Sequence, residues 1–96
     1  MAEFGNVCFN DETKADILAR LKRAEGQLRG IQKMIEEGRA CQDLVVQLVA
    51  VKAAISQIAM AALSNQLVHC LSREIAAGKP TDKISEQFIE IFKKLS

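Results

Sequence analysis

Apolar and polar residues alternate along this chain with the period of an α-helix. Between residues 17 and 35 the apolar positions recur at spacings of three and four, which predicts one helix with a single apolar seam; they are Ile17, Leu21, Ala24, Leu28, Ile31 and Ile35. Asn10 or Asp11 suits the N-cap of this helix, and Gly38, in "EEGRAC", suits its C-cap.

The pattern continues into two further helices. The segment from about Cys41 to Ala77 contains no proline and no glycine and carries apolar residues throughout, which predicts one long helix that stops at "AGKP". The stretch "DKISEQFIEIFKKL" predicts a short third helix whose apolar side carries Ile84, Phe88, Ile91 and Leu95. Residues 1–10 are expected to form a flexible tail before a single domain over residues 11–96. The predicted fold class is all-α, with three helices.

Composition adds constraints on size and surroundings. A chain of 96 residues struggles to bury a sufficient core alone, so self-association is expected. Its three cysteines are an odd number at wide spacings, which is unlike a secreted disulfide framework. The N-terminus lacks the pattern of a signal peptide, and no uninterrupted apolar run approaches the roughly 20 residues that span a bilayer. A cytoplasmic protein with free thiols and no membrane partner is therefore expected.

Two cysteines lie near opposite ends of the predicted long helix. At 1.5 Å per residue, Cys41 and Cys70 are roughly 40 Å apart on one helix, so they cannot form a site within one chain. If two copies pack antiparallel and cross near Ile55 and Ser56, Cys41 of one chain lies beside Cys70 of the other, which produces two equivalent sites per dimer. The alternative is that both cysteines are small buried hydrophobic residues.

The neighbours of Cys70 decide how complete such a site is. Gln66 stands one helical turn before Cys70, and its amide oxygen is a poor ligand for a soft metal ion. His69 is adjacent to Cys70, and adjacent helical residues project about 100° apart, so the two cannot easily share one metal. His69 is more simply interpreted as a helix-surface imidazole. Cys8, in the tail, is either incidental or an additional thiol.

Basic residues concentrate on the first helix. Five of them lie between positions 20 and 33 against the single acid Glu25: Arg20, Lys22, Arg23, Arg29 and Lys33. Such a pattern usually indicates a solvated helix face. A local excess of positive charge that is repeated in each chain of an oligomer also suits binding to a phosphate backbone. Lys52, on the second helix, is a further candidate for this DNA-binding set. The formal net charge of +1 does not decide between the alternatives, and no catalytic constellation is evident, so an enzyme is not expected.

Three stretches resemble a known family. "RLKRAEGQLRGIQKMIEEGRAC", "QLVAVKAAISQIAMAAL" and "LVHC" are similar to the CsoR/RcnR family of small all-α transcriptional repressors, over about residues 14–77. The resemblance implies antiparallel helical-bundle dimers that pair into tetramers. It also implies double-stranded operator DNA as a partner, bound across a positive face and released when an effector reacts at an intersubunit cysteine site.

The resemblance also bears on the effector. In copper-sensing members the ligands match Cys41, Gln66 and Cys70, with a histidine where this chain has glutamine. The sequence therefore resembles the CstR-like branch, which senses persulfides through two cysteines and requires no cofactor. Cu(I) held by Cys41 and Cys70 is the alternative effector. Formaldehyde-sensing members use a proline after the initiator Met, where this chain has Ala2.

Two classes of function therefore remain open at the level of sequence. The first is a DNA-binding repressor with a thiol switch, and the second is a cytoplasmic metal-binding or thiol-carrier bundle that does not touch DNA. In the first, the start of a helix and nearby Arg39 favour the thiolate form of Cys41, which would attack the effector, and Cys70 of the partner would resolve the product.

Overall fold

The computed structural model describes residues 9–95, which form three α-helices: α1 (Asp11–Glu36), α2 (Cys41–Ala76) and α3 (Asp82–Lys94). This confirms the predicted all-α class and the long second helix. Asn10 is the N-cap of α1, because its side chain accepts a hydrogen bond from the Thr13 backbone N–H at 2.7 Å. Most of the predicted tail, including Cys8, lies outside the described residues.

Each of the two turns is built on a glycine in the left-handed region. Gly38 has φ of 69° and Gly78 has φ of 70°, values that an L side chain adopts only with strain. At the end of α1, the N–H of Gly38 donates to Ile35 and that of Arg39 donates to Met34. The same two bonds recur around Gly78, so both helices end in a Schellman motif. The C-cap itself is Glu37, one residue before the expected Gly38.

Helices α1 and α2 form an antiparallel hairpin with a narrow core. Ile17 and Ala24 pack against Ile58 of α2, and Thr13 near the start of α1 donates to Asn65 near the end of α2. Only every seventh residue of the predicted seam is buried in the chain, namely Ile17, Ala24 and Ile31. The other three positions, Leu21, Leu28 and Ile35, are exposed, because one neighbouring helix covers only a narrow stripe of α1.

Helix α3 packs on the C-terminal part of α2 and makes a second, separate core. Ile84 and Phe88 of α3 are buried against Cys70 of α2. Leu63, Leu67 and Leu71 of α2 and Phe92 of α3 surround this cluster. The predicted apolar side of α3 is thus confirmed for its first two positions, whereas Ile91 and Leu95 are only half-buried. The hairpin core and the α3 core lie in different parts of α2.

The single chain leaves much of its apolar surface uncovered. Its radius of gyration is 17.5 Å, against about 13 Å for a compact domain of about 100 residues. Thirteen large apolar side chains are exposed in the described residues, and eight of them lie on α2: Val45, Val46, Leu48, Val49, Ile55, Met60, Val68 and Ile75. By length and composition α2 is apolar enough to cross a membrane. The core helix of a soluble helical bundle also meets these two criteria.

Candidate sensing site and nucleic-acid interface

Cys41 is the first residue of α2, and its thiol is exposed. The N-cap is Ala40, whose side chain makes no capping hydrogen bond, so the first backbone N–H groups of α2 have no side-chain acceptor there. Arg39 and Asp43 form an exposed ion pair at 3.7 Å across this first turn. The tight turn at Gly38 therefore presents Cys41 to solvent at the positive end of a helix dipole, with a guanidinium nearby.

Cys70 lies in the opposite environment. It is only 4% exposed because Ile84 and Phe88 of α3 cover it. The buried Gln66 side chain, one turn earlier on α2, donates from Nε2 to Cys70 Sγ at 3.6 Å. An N–H donor at sulfur stabilises the thiolate without occupying a coordination position. This contact gives Gln66 a direct structural relation to the thiol.

The two cysteines lie on one side of α2 but at different ends. Their separation in sequence corresponds to about eight helical turns, so both project in nearly the same direction, roughly 40 Å apart. Within residues 9–95 of one chain, no three His, Cys, Asp or Glu side chains lie together in a way that could hold a metal ion. A site that contains both thiols therefore requires a second chain.

The other predicted members of the site stand apart from the two thiols. His69 is half-buried on α2 and makes no side-chain hydrogen bond or ion pair among the described residues. Its backbone position next to Cys70 turns it about 100° away from that thiol. Cys8 cannot be placed, because it lies outside the described residues.

The structure divides the predicted basic residues between different sides of the hairpin. Arg20 and Arg23 line a cleft of about 450 Å³ between α1 and α2, together with Gln27, Ala54, Gln57 and Ile58. Lys22, Arg29 and Lys33 are exposed and do not line it. Lys52 is exposed on the Cys41–Cys70 side of α2, roughly 140° around the helix from Gln57. The six residues therefore do not form one continuous face in a single chain.

Sequence reasoning missed two groups of residues. Ile84 and Phe88 were predicted as apolar positions of α3, but their role as the cover of Cys70 follows only from how α3 folds back. Gln27 and Gln57 complete the cleft, and only Gln27 carried a usable signal, since it follows Arg23 by one helical turn. Gln57 could not be found without the α1–α2 packing.

These features define a class: a small all-α chain with unburied apolar surface and two thiols that can meet only between chains. The sequence pattern of the family described as "Metal-sensitive transcriptional repressor" matches residues 13–94. The protein belongs to this family. The resemblance to CsoR-type repressors seen in the sequence is thereby confirmed, whereas the distinction between persulfide-sensing and copper-sensing branches is not.

Individual relatives agree with the family. The chain is 41% identical over 87 residues to the copper-sensing transcriptional repressor CsoR of Bacillus subtilis (strain 168), covering 91% of this chain and 85% of the relative. It is 42% identical over 69 residues to the copper-sensing repressor RicR of Mycobacterium tuberculosis (strain ATCC 25618 / H37Rv), covering 72% of each. These relatives are named as regulators, in agreement with the expectation that the chain is not an enzyme.

Solved structures show the same fold. The crystal structure of the copper-sensing repressor CsoR with Cu(I) from Geobacillus thermodenitrificans NG80-2 has a TM-score of 0.77 and 36% identity, over 93% of this chain and 92% of that one. The nickel-responsive transcriptional regulator InrS has a TM-score of 0.73 and 28% identity, over 85% and 91% of the two chains.

Proposed function

We propose that this protein is a DNA-binding transcriptional repressor whose DNA affinity is controlled at a dithiol site made by Cys41 of one chain and Cys70 of another. The family supports the repressor role. The dithiol site is supported by the position of both thiols on one side of α2, and by the lack of any second thiol near either of them in the described part of the chain.

Self-association is part of the proposal. Helix α2 has exposed apolar residues on several sides, and Val45, Leu48 and Ile55 lie with Lys52 on the same side as Cys41 and Cys70. Antiparallel pairing of this side in two chains, crossing near Ile55, would bury these residues and bring Cys41 of each chain to Cys70 of the other. The apolar residues left on α1 and α3 favour a dimer of dimers. A stable monomer in sedimentation at micromolar concentration would contradict this assembly.

The proposed effector is a persulfide, and the contact of Gln66 with Cys70 carries this assignment. Cu(I) prefers soft donors such as thiolate or imidazole, and the amide oxygen of Gln66 is neither. The Gln66 amide instead points an N–H group at the sulfur. Such an N–H donor supports a reacting thiolate, and the amide itself carries no charge near neutral pH. The pair of thiols is then complete for covalent sulfur chemistry without a third ligand.

The different exposure of the two thiols supports different roles for them in the proposed reaction. The exposed Cys41 thiolate attacks the outer sulfur of a persulfide R–S–SH, which forms Cys41–S–SH and releases R–S⁻. The thiolate of the partner's Cys70 then attacks the Cys41 sulfur, which forms the intersubunit disulfide and releases HS⁻. Two such bridges per dimer would favour one arrangement of the helices, and DNA affinity would change if the two arrangements bind DNA differently.

The test of this proposal is covalent. Persulfide treatment is expected to give a dimer on non-reducing gels and to release DNA from the region upstream of the protein's own gene. Both effects should be lost in Cys41→Ser and in Cys70→Ser and retained in Cys8→Ser, which is the matched control. DNA release that survives in Cys70→Ser would contradict the dithiol site.

Cu(I) is the second candidate effector, because two relatives above 40% identity are named as copper-sensing. The thiols of Cys41 and Cys70 would hold Cu(I) between two chains with two sulfur ligands. Gln66→His places an imidazole one turn before Cys70, where a third donor can reach a shared metal. Under the persulfide proposal, wild-type protein keeps its DNA when free Cu(I) is sub-nanomolar, whereas Gln66→His becomes more responsive. Release of DNA by the wild-type protein at sub-nanomolar free Cu(I) would establish copper as the effector.

DNA binding itself has an electrostatic test. If Arg23 and Arg29 contact phosphates, log-log plots of affinity against salt should become flatter in the Arg23→Ala, Arg29→Ala variant, by about one unit per lost contact. Lys79→Ala, Lys83→Ala, in the turn before α3 and the first turn of α3, is the matched control for the loss of two exposed positive charges. An unchanged slope in the double variant would exclude these two residues from the interface.

A further inference from the structure

Helix α3 carries a polar side chain at the edge of the apolar side that covers Cys70. Gln87 lies between Ile84 and Phe88 in the sequence, and its side chain is half-buried. Its carbonyl oxygen Oε1 is buried and accepts no hydrogen bond within residues 9–95. A buried amide oxygen without a donor destabilises a folded chain, because the oxygen has lost its hydrogen bonds to water. The single chain therefore leaves this acceptor in need of a donor from elsewhere.

Gln87 lies on the edge of α3 that is nearest to Gln66. Successive residues of a helix turn by about 100°, so Gln87 projects about 60° from Ile84, on the side away from Phe88. On α2, Gln66 projects about 40° from Cys70, on the side away from the leucines that surround the α3 core. Because α3 folds back along α2 in the opposite direction, these two edges border the same groove.

The first turn of α2 has the complementary deficiency. Its N-cap is Ala40, whose side chain cannot accept a hydrogen bond. The first intrahelical bond is made by the N–H of Leu44, which donates to the Ala40 carbonyl at 3.2 Å. The backbone N–H groups of Cys41, Gln42 and Asp43 have no acceptor within the described part of the chain. Helix α2 thus begins with three backbone donors, where a capping side chain would satisfy at least one.

We infer that Gln87 caps the N-terminus of α2 in the partner chain. The inference rests on the antiparallel pairing of the proposed function, which brings Cys41 of one chain to Cys70 of the other. The same pairing brings the uncapped first turn of α2 to the groove beside Gln87. Rotation about χ3 turns the Gln87 oxygen outward, where it accepts from the N–H of Gln42 or Asp43. Each copy thereby supplies the acceptor that the other lacks, and the contact holds Cys41 in position for the thiol reaction.

The test removes the acceptor and then supplies a substitute for it. Gln87→Met keeps the length of the side chain without the amide oxygen, and Gln47→Met makes the same change at an exposed position of α2. Ala40→Ser gives α2 a capping side chain of its own, and it is made alone and together with Gln87→Met. For each full-length protein, sedimentation in reducing buffer measures the dissociation constant of the dimer. Hydrogen exchange of the Gln42 and Asp43 backbone N–H groups is followed by NMR.

Gln87→Met is expected to weaken the dimer about fivefold per lost cap, or about 25-fold for the two caps of a dimer, and to speed exchange at Gln42 and Asp43. Gln47→Met should change neither quantity. In the Ala40→Ser background the effect of Gln87→Met on the dimer should fall to within about twofold, because the serine hydroxyl accepts from the same N–H groups. Such a loss of effect identifies the cap, since a role of Gln87 within α3 alone would not depend on Ala40.

The inference is overturned if Gln87→Met leaves the dimer and the exchange rates unchanged, or if its effect is the same with and without Ala40→Ser. Circular dichroism of each variant checks that the helices are intact. Oxidative cross-linking of Cys41 to the partner's Cys70, mapped by mass spectrometry, tests the pairing itself. Absence of this cross-link contradicts both the proposed function and the cap, whereas a cross-linked protein that is insensitive to Gln87→Met excludes the cap alone.

Discussion

The two ends of α2 carry the same chemical group in opposite surroundings. Cys41 begins the helix in the open, next to Arg39 and behind the tight turn at Gly38. Cys70 lies near the other end, where α3 folds back over it and Gln66 donates to its sulfur. One helix thus presents one thiol for attack and protects the other.

For the proposed thiol switch, this difference predicts which of the two thiols reacts first. An exposed thiol meets a reagent from solution first, whereas a covered thiol reacts with a group that is already held beside it. A protected second thiol also limits competing oxidation of the pair. The core between α2 and α3 supplies the cover, so the contrast between the thiols depends on how firmly α3 packs.

The largest effect is expected in the wild-type protein itself. Cys41 should react with a small alkylating reagent about a thousandfold faster than Cys70, because Cys70 must wait for α3 to open. Mass spectrometry of time points after addition of N-ethylmaleimide, with peptide assignment, measures the two rates separately. Equal rates for the two thiols would show that α3 does not protect Cys70.

Removal of the cover should abolish most of this contrast. Phe88 is 1% exposed, so Phe88→Ala is expected to destabilise the packing of α3 by about 3–5 kcal/mol and to raise the alkylation rate of Cys70 toward that of Cys41. Ile89→Ala, at a residue that is 53% exposed, is the matched control and should change the Cys70 rate much less. An unchanged alkylation rate of Cys70 in Phe88→Ala would show that the packing of α3 does not protect this thiol.

The smallest effect concerns the turn that positions α3. Gly78 has φ of 70°, so Gly78→Ala should cost about 1 kcal/mol through backbone strain and raise the Cys70 rate about fivefold, with Cys41 unchanged. Gly26→Ala, in the middle of α1 with open space around its Cβ, is the control and should stabilise the protein slightly. Thermal melts and alkylation rates of the two variants test this, and equal Cys70 rates would exclude the turn as a determinant.

The amino-acid sequence alone determined the helices and the separation of the two thiols of the proposed site. Apolar spacing predicted all three helices, and the N-cap of α1, Asn10, is one of the two candidates that the sequence indicated, because caps and periodicity are local properties of the chain. The separation of Cys41 and Cys70 on one helix also follows from local geometry. The requirement for a second chain could therefore be predicted before any tertiary contact was known.

The tertiary structure alone decided the environments of these residues. Three features depend on which faces of two helices meet. They are the exposure of Leu21 and Leu28, the burial of Cys70 under Phe88, and the position of Arg23 and Gln57 in one cleft. Helical periodicity shows that a face is apolar or basic, but a neighbouring helix covers only part of it. The turns at Gly38 and Gly78 and the non-local packing of the helices set how much of a face the neighbouring helix covers and at what angle the two helices cross. The sequence of one helix alone does not specify this.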